Sequence, residues 1–399
     1  MSFKVIFEGS PMVHIEVFDT QLTELFAWRR DFHTHPEISF DVHRTAGLVS
    51  ERLHEMGVDE VFTGIGKTGV VAVIKGKTTS SNKVIGLRAD MDALPMQEQT
   101  NLPYASKIEG RMHACGHDGH TTMLLGAARY LSETRNFNGT AVLIFQPAEE
   151  AEGGGLAMVQ DGLMNRFGIQ SVFALHASPG LPIGHFSTRA GGIMGSADLF
   201  EVQITGKGCH AAFPHEGLDP AIAVAQIIQG FQTIVSRSIS ASAQHVVSIT
   251  QVHMGTADNI IAETAEIRGT VRSLSSKERT FGKQRMYDIC AGVASMTGTE
   301  IHLNYIDDLP VTENDATQTD FAIDAATKLV GSEAVDGNRT PTMGGEDFSF
   351  MLEQCPGNFM FIGNGDSAAL HNPAFDFNDE ALAYGCAYFA TIVERQLAI

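Results

Sequence analysis

The sequence predicts an α/β fold: a discontinuous domain with a mostly parallel central sheet flanked by helices, plus an inserted ferredoxin-like α+β domain. Three observations carry this. Apolar runs of strand length alternate with helical periodicity through the first half, the pattern of helices layered on a parallel sheet. From about residue 197 to 307 the order becomes β-α-β-β-α-β, that of a split βαβ unit with two strands adjacent in sequence. Beyond 307 helix and strand patterns resume, and a chain of 399 residues is too long for a single compact core.

The elements follow in order. QLTELFAWRRDFH (21–33) and RTAGLVSERLHEMG (44–57) repeat apolar side chains at three- and four-residue steps, the second before a glycine stop, and read as helices. VVAVIKG (70–76) and KVIGLRAD (83–90) read as strands, followed by a helix from about 119 to 131 and the strand AVLIF (141–145). VFAL (172–175) is another. At 191–195 the chain turns glycine-rich, and a boundary is placed there. The inserted segment reads as strand DLFEVQIT, helix 220–237, strands HVVSITQVH and ETAEIRGTVRSL, helix 277–296 and strand EIHLNYID. A helix (320–330), the loop TPTMGGEDFSFML, the strand FMFIG and a final helix (381–396) complete the chain. The expected domains are 1–190 with 307–399, and 191–306 between them.

Four separated motifs carry metal-binding chemistry. Cys115 and His117 stand in MHACGHDGHTTM, Glu149 and Glu150 in QPAEE, His176 in LHASPG and His371 in AALHNP. Thiolate, imidazole and carboxylate are the side chains that hold zinc and related divalent ions. KVIGL runs into Asp90, AVLIF into the glutamate pair and VFAL into His176. Ligands of open α/β sheets gather at the carboxyl ends of strands, so three such strand ends are expected to converge on one crevice. Two adjacent glutamates cannot easily both face one metal from an extended strand, so one is expected to hold metal and the other to relay protons. Spacing does not say which.

Composition excludes other classes. Lys and Arg number 27 against 47 Asp and Glu, a net charge of −20, which repels phosphate backbones and anionic lipid surfaces. Nucleic-acid and membrane partners are not expected. The start, MSFKVIFEGSPMVHIEVF, lacks a basic region followed by a sustained apolar one, and no later run approaches the ~18 apolar residues of a spanning helix; a cytoplasmic location is expected. The five cysteines, at 115, 209, 290, 355 and 386, are odd in number, dispersed and never C-x-x-C, which argues against a disulfide framework. All but Cys115 read as small buried hydrophobes.

The motifs RRDFHTHPEISF, RADMDALPMQE, MHACGHDGHTTML, FQPAEEAEGG, GCHAAFPHEGLDP and MGGEDFSF, in this order, closely resemble the dinuclear metallo-amidohydrolases. That group includes hippurate hydrolases, N-acyl-amino-acid aminoacylases and plant auxin-conjugate hydrolases. The resemblance runs from about Leu22 to the C-terminal helix. Related carboxypeptidases and dipeptidases place a metal-binding His two residues before the Asp of an H-x-D motif; here Arg88 precedes Asp90, as in the cysteine-using branch.

The resemblance implies that Cys115, His117, Glu150, His176 and His371 hold two divalent ions, with Glu149 as catalytic base and Asp90 orienting a ligand imidazole. A Cys/His donor set favours zinc or cobalt, and relatives add manganese and nickel. It further implies that the insertion is a lid and dimerisation domain, with His210, Asn259 and Arg272 reaching substrate and Gly344 and Gly345 admitting backbone amides to it. The implied activity is hydrolysis of N-acyl or N-aroyl amino acids by a homodimer or homotetramer. Two rivals stand beside it: a dipeptidase or aminoacyl carboxypeptidase on the same site, and a metal-binding protein without catalysis.

Other features read as structural. His33 and His35 have ligand-like spacing but no acid or thiol neighbour in sequence completes a site. Asp118 and His120 read as packing or supporting groups, and His215 as a loop residue or substrate contact. GIGKTG (64–69) lacks the first glycine of a phosphate loop, Val61 standing there.

Overall fold

A computed structural model describes residues 13–399; the reading of the extreme N-terminus rests largely on residues outside these. The described chain forms two compact units. The first comprises the residues up to Ala190, Asn314–Arg339 and Phe350–Ile399; the second comprises Gly191–Glu313 and Thr340–Ser349.

In the first unit, α1 (Leu22–Thr34) and α2 (His43–Glu55) precede β1 (Glu60–Ile65), β2 (Gly69–Lys75) and β3 (Val84–Asp90). Then come α3 (His117–Thr134), β4 (Thr140–Gln146) and β5 (Ser171–Ser178). The second unit holds β6 (Ala197–Thr205), α4 (Pro220–Thr233), β7 (His245–Met254), β8 (Thr264–Ser273), α5 (Ser276–Thr297) and β9 (Glu300–Leu309). The chain returns to the first unit with α6 (Ala316–Val330), β10 (Gly357–Gly363) and α7 (Ala381–Gln396).

The eight-stranded sheet of the first unit runs β1-β2-β4-β3-β5-β10, ending in the short strands Phe186–Ser187 and Val335–Asp336. Its centre is parallel: β3 pairs with β4 and with β5, and β5 with β10. The expected fold class is therefore the observed one. Parallel strands are covered on both faces and read as continuous apolar runs rather than alternating ones, and β4, β5 and β10 are buried almost throughout. The glycine-rich run 64–69 spans the turn of an antiparallel hairpin, Ile65 pairing with Gly69 between β1 and β2.

The second unit's four strands lie in the order β7-β8-β6-β9, all antiparallel. That is the strand order of a ferredoxin-like sheet. Along β6, buried Phe200, Val202 and Ile204 alternate with more exposed residues, so one face packs against helices and the other does not. Thr340–Ser349, which chain order would leave with the first unit, packs here because Thr342 N–H donates to Ile193 (3.0 Å) and Gly195 N–H to Gly344 (2.9 Å). No helix among the described residues is long and apolar enough to cross a membrane.

Candidate metal centre

The three adjacent parallel strands β4, β3 and β5 present their carboxyl ends side by side. Asp90 is the last residue of β3 and pairs with Gln146, the last of β4. His176 lies inside β5 rather than after it, two residues before its end.

Gly116 caps α3 at φ +93°, a left-handed conformation open to glycine at little cost. The turn it makes brings Cys115 and His117, on either side of it, into one cluster. Cys115, His117 and His176 offer ligand atoms all within 4.8 Å of one another, as do Cys115, Glu150 and His371, and as do His117, Glu149 and Glu150. Cys115 Sγ is 3.3 Å from His176 Nε2, and His371 Nε2 is 3.3 Å from Glu150 Oε2. The five expected metal ligands and Glu149 are thus brought together.

Both glutamates reach the cluster, which an extended strand would forbid. β4 ends at Gln146, and Ala148 has φ +53°, so Glu149 and Glu150 leave a tight turn and not a strand. His117 Nε2 lies 4.0 Å from Glu149 Oε2 and 3.8 Å from Glu150 Oε1. His371 also has positive φ, at 59°. Non-glycine residues are uncommon there, and such strain collects at functional sites.

Asp92 is the residue that reading the motifs passed over. Its two carboxylate oxygens accept the N–H groups of Glu149 (2.9 Å) and Glu150 (3.1 Å), fixing the turn. Its backbone carbonyl accepts His117 Nδ1–H at 2.8 Å, leaving Nε2 aimed at the cluster. His176 is held alike, Nδ1 donating to Ala177 at 2.8 Å. Such bonds set tautomer and ring orientation. Asp90 binds a different imidazole, accepting His120 Nδ1–H and Arg88 Nη1–H, both at 2.6 Å, while His120 Nε2 accepts Ala177 N–H at 2.8 Å. Asp90 Oδ2 is 3.6 Å from His117 Nε2. The second Asp of RADMD was the available signal, since side chains two apart at a strand end share a face.

Electrostatics suit a cation. Burial, then the charge of Glu150, pushes the Cys115 thiol well up. Burial favours the neutral form of Glu150, but His371 and His117 outweigh it and hold the carboxyl low. His117 is likewise raised, Asp90 and Cys115 overcoming burial. Among the described residues, His117 Nε2 and Glu150 Oε1 are buried with no hydrogen-bond partner. Unsatisfied buried polar atoms are costly, and a cation would satisfy both, so the donor set fits divalent metal.

Behind the cluster His33 has the acidic neighbours that its sequence context did not reveal. Its Nδ1 lies 2.7 Å from Asp118 Oδ2 and its Nε2 3.3 Å from Glu98 Oε1. Burial lowers its pKa, but these two bonds raise it to about 9. A raised folded-state pKa contributes stability that is complete below the ordinary value of 6.5 and lost as pH rises through about 9. Replacing His33 with Gln should flatten this alkaline fall in melting temperature; an unchanged fall would place its origin elsewhere.

In the second unit His210 and Asn259 are neighbours. His210 pairs with Ile260, and Asn259 accepts Ala211 N–H at 3.0 Å; both side chains are exposed. Arg272 pairs with Val246 near the far end of β8, roughly 25 Å along the strand from Thr264 at 3.3 Å per residue, and is not grouped with them. Gly344 has room around it, whereas a Cβ on Gly345 would meet Leu309 at 2.3 Å, so packing requires that glycine. His215 is exposed.

Residues 86–395 match the model of peptidase family M20/M25/M40. The chain is 43% identical over 382 residues to a hippurate hydrolase of Campylobacter jejuni, covering 96% of this chain and 98% of the relative. It is 41% identical to an N-acetylcysteine deacetylase of Bacillus subtilis, over 93% of this chain and 96% of that one. Among solved structures it resembles the Bacillus subtilis YXEP protein, described as a dinuclear metal binding peptidase, with a TM-score of 0.82 at 38% identity, covering 95% and 99% of the two chains.

Proposed function

The chain belongs to peptidase family M20/M25/M40 and is an amide hydrolase, and we propose that it releases a carboxylic acid and a free amino acid from N-acyl or N-aroyl amino acids. The observation that carries this is the gathering of Cys115, His117, Glu150, His176 and His371 around partnerless buried donor atoms, with Glu149 beside them. Relatives named for hippurate and N-acetylcysteine support the substrate class.

Those five residues would hold two divalent ions, Cys115 being common to two of the donor sets. The Cys/His chemistry favours zinc or cobalt, with manganese and nickel as the other candidates. When bound, such ions lower the pKa of water and polarise the acyl carbonyl. Glu149 takes a proton from the attacking water and returns it to the departing nitrogen. Asp92 holds the Glu149 backbone in place. Asp90, with Arg88 and His120, forms a fully buried layer that keeps water from the back of the site. In the second unit His210 and Asn259 are proposed as donors to the developing oxyanion, with Arg272, Gly344 and Gly345 as further substrate contacts. A dimer or tetramer is proposed as the working form.

Chelation followed by return of single ions tests the reading. Hippurate and N-acetyl amino acids should lose turnover with the metal and regain it on addition of one or more of the four ions, with simple dipeptides poorer throughout. Preference for dipeptides would favour the peptidase alternative. Full activity in metal-free protein, verified by elemental analysis, would reject the proposal.

A further inference from the structure

We propose that Arg339 anchors the free α-carboxylate of the substrate, placing the amino-acid half of the molecule in the first unit. The assignment deepens the amide-hydrolase reading and rests on it.

Arg339 follows the short strand Val335–Asp336, which pairs in parallel with Phe186–Ser187. Its backbone N–H donates to Thr188 at 3.0 Å. Its Nη1 donates to Ser187 Oγ at 2.6 Å and its Nη2 to Ser178 Oγ at 3.2 Å. The guanidinium carbon stands 3.7 Å from the centre of the Phe361 ring. Every one of these partners is neutral. Several other half-buried or buried arginines of this unit end on carboxylates, Arg29 on Asp379, Arg88 on Asp90, Arg129 on Glu24 and Arg135 on Asp59, whereas Arg52 lies over the Trp28 and Phe32 rings and Arg189 bonds backbone carbonyls.

A partly desolvated charge is ordinarily paired. Here burial depresses the guanidinium pKa, with Asp336 offsetting it in part. Two serine hydroxyls take one N–H from each Nη, leaving three of the five donors of the fork. Three N–H groups in a plane match a carboxylate, which arginine binds in bidentate fashion. Hydroxyls and an aromatic face hold the group in position without neutralising it.

Its position points toward the metal cluster. Ser178 is two residues after His176 on β5, so both project from the same face. Phe361 is the register partner of His176 on β10, and their ring centres are 6.0 Å apart. Arg339 therefore sits over the same face, one residue pair farther toward the carboxyl edge, where ligands of such sheets bind. In an N-acyl amino acid the carboxylate carbon is two bonds past the amide nitrogen, roughly 2.5 Å away by standard backbone dimensions. A substrate with its amide at the Cys115–His176 donors can thus turn its carboxylate toward Arg339.

The test pairs hippurate with its neutral amide, hippuramide. Arg339→Met should raise KM for hippurate at least tenfold with kcat changed by less than threefold, and leave hippuramide kinetics unaltered. Arg339→Lys should recover part of the loss, since it restores charge but not the fork. Equal losses on both substrates would mean a scaffold role, and no loss on hippurate would mean no role; either overturns the proposal. A calorimetric titration of both compounds into Glu149→Gln protein separates the two claims. A tenfold or greater preference for hippurate that vanishes with Arg339→Met sustains the anchor even if the wild type hydrolyses neither compound, in which case only the activity reading falls; absence of that preference sinks the anchor.

Discussion

Glu149→Gln should lower kcat by two to four orders of magnitude while the protein retains its full metal content. The size follows from the role: a positioned acid/base group contributes about 10²–10⁴-fold, and the amide keeps the shape of the side chain while losing the ability to take a proton. Metal is retained because Cys115, His117, Glu150, His176 and His371 remain. Glu150→Gln should do the reverse, removing a donor shared with Cys115 and His371 and lowering metal occupancy together with activity. Turnover numbers and elemental analysis of both variants decide the matter, and the two glutamates are close enough to His117, at 4.0 and 3.8 Å, for the comparison to be needed. If Glu149→Gln sheds metal and Glu150→Gln does not, the roles are exchanged.

Arg29→Met should cost about 3–5 kcal/mol of unfolding free energy, the usual result of removing one partner from a buried ion network. The Arg29 side chain is fully buried and touches three acids: Asp379 at 2.6 Å, Asp376 at 3.0 Å and Asp118 at 3.4 Å. Desolvation favours the neutral guanidine, but the three carboxylates together hold the charged form above its ordinary value. Without the cation, Asp118 keeps His33 and the Gly119 N–H, and Asp376 keeps Tyr104 at 2.8 Å. Arg29 also ties α1 to the segment after His371 and to the residue after His117. Metal affinity should therefore fall with stability. Chemical denaturation and metal titration of Arg29→Met and Arg29→Lys measure this; Lys should recover little, because one ammonium cannot serve three acids in the geometry of a planar fork. A loss below 1 kcal/mol would show that the network contributes little.

Much of this molecule can be read from its chain. Strands buried on both faces announce themselves as unbroken apolar runs, so VVAVIKG, AVLIF and FMFIG mark three strands of the sheet. The cluster residues were legible because each stands in a motif whose donor chemistry is specific. What stayed hidden depends on backbone turns or distant partners. The left-handed Ala148 is what lets two adjacent glutamates share a target, and alanine gives no sign of it. Asp92 matters through three hydrogen bonds, two of them to residues 57 and 58 positions away. The environment of His33 comes from Glu98 and Asp118, 65 and 85 positions distant. Arg339 stands in a loop with no motif, and only the meeting of Ser178, Ser187 and Phe361 gives it meaning.

β10 lies between β5 and the short strand Phe186–Ser187 in the sheet, yet it is made last of the three, after the whole second unit has been synthesised. A ribosome that has just completed β5 must add every residue up to Gly363 before that gap can close, on the order of ten seconds or longer at 5–20 residues per second. Meanwhile the growing chain carries an open, apolar strand edge of the sort that invites wrong pairing. Nascent forms of this protein should accordingly be good clients for chaperones until translation is nearly finished.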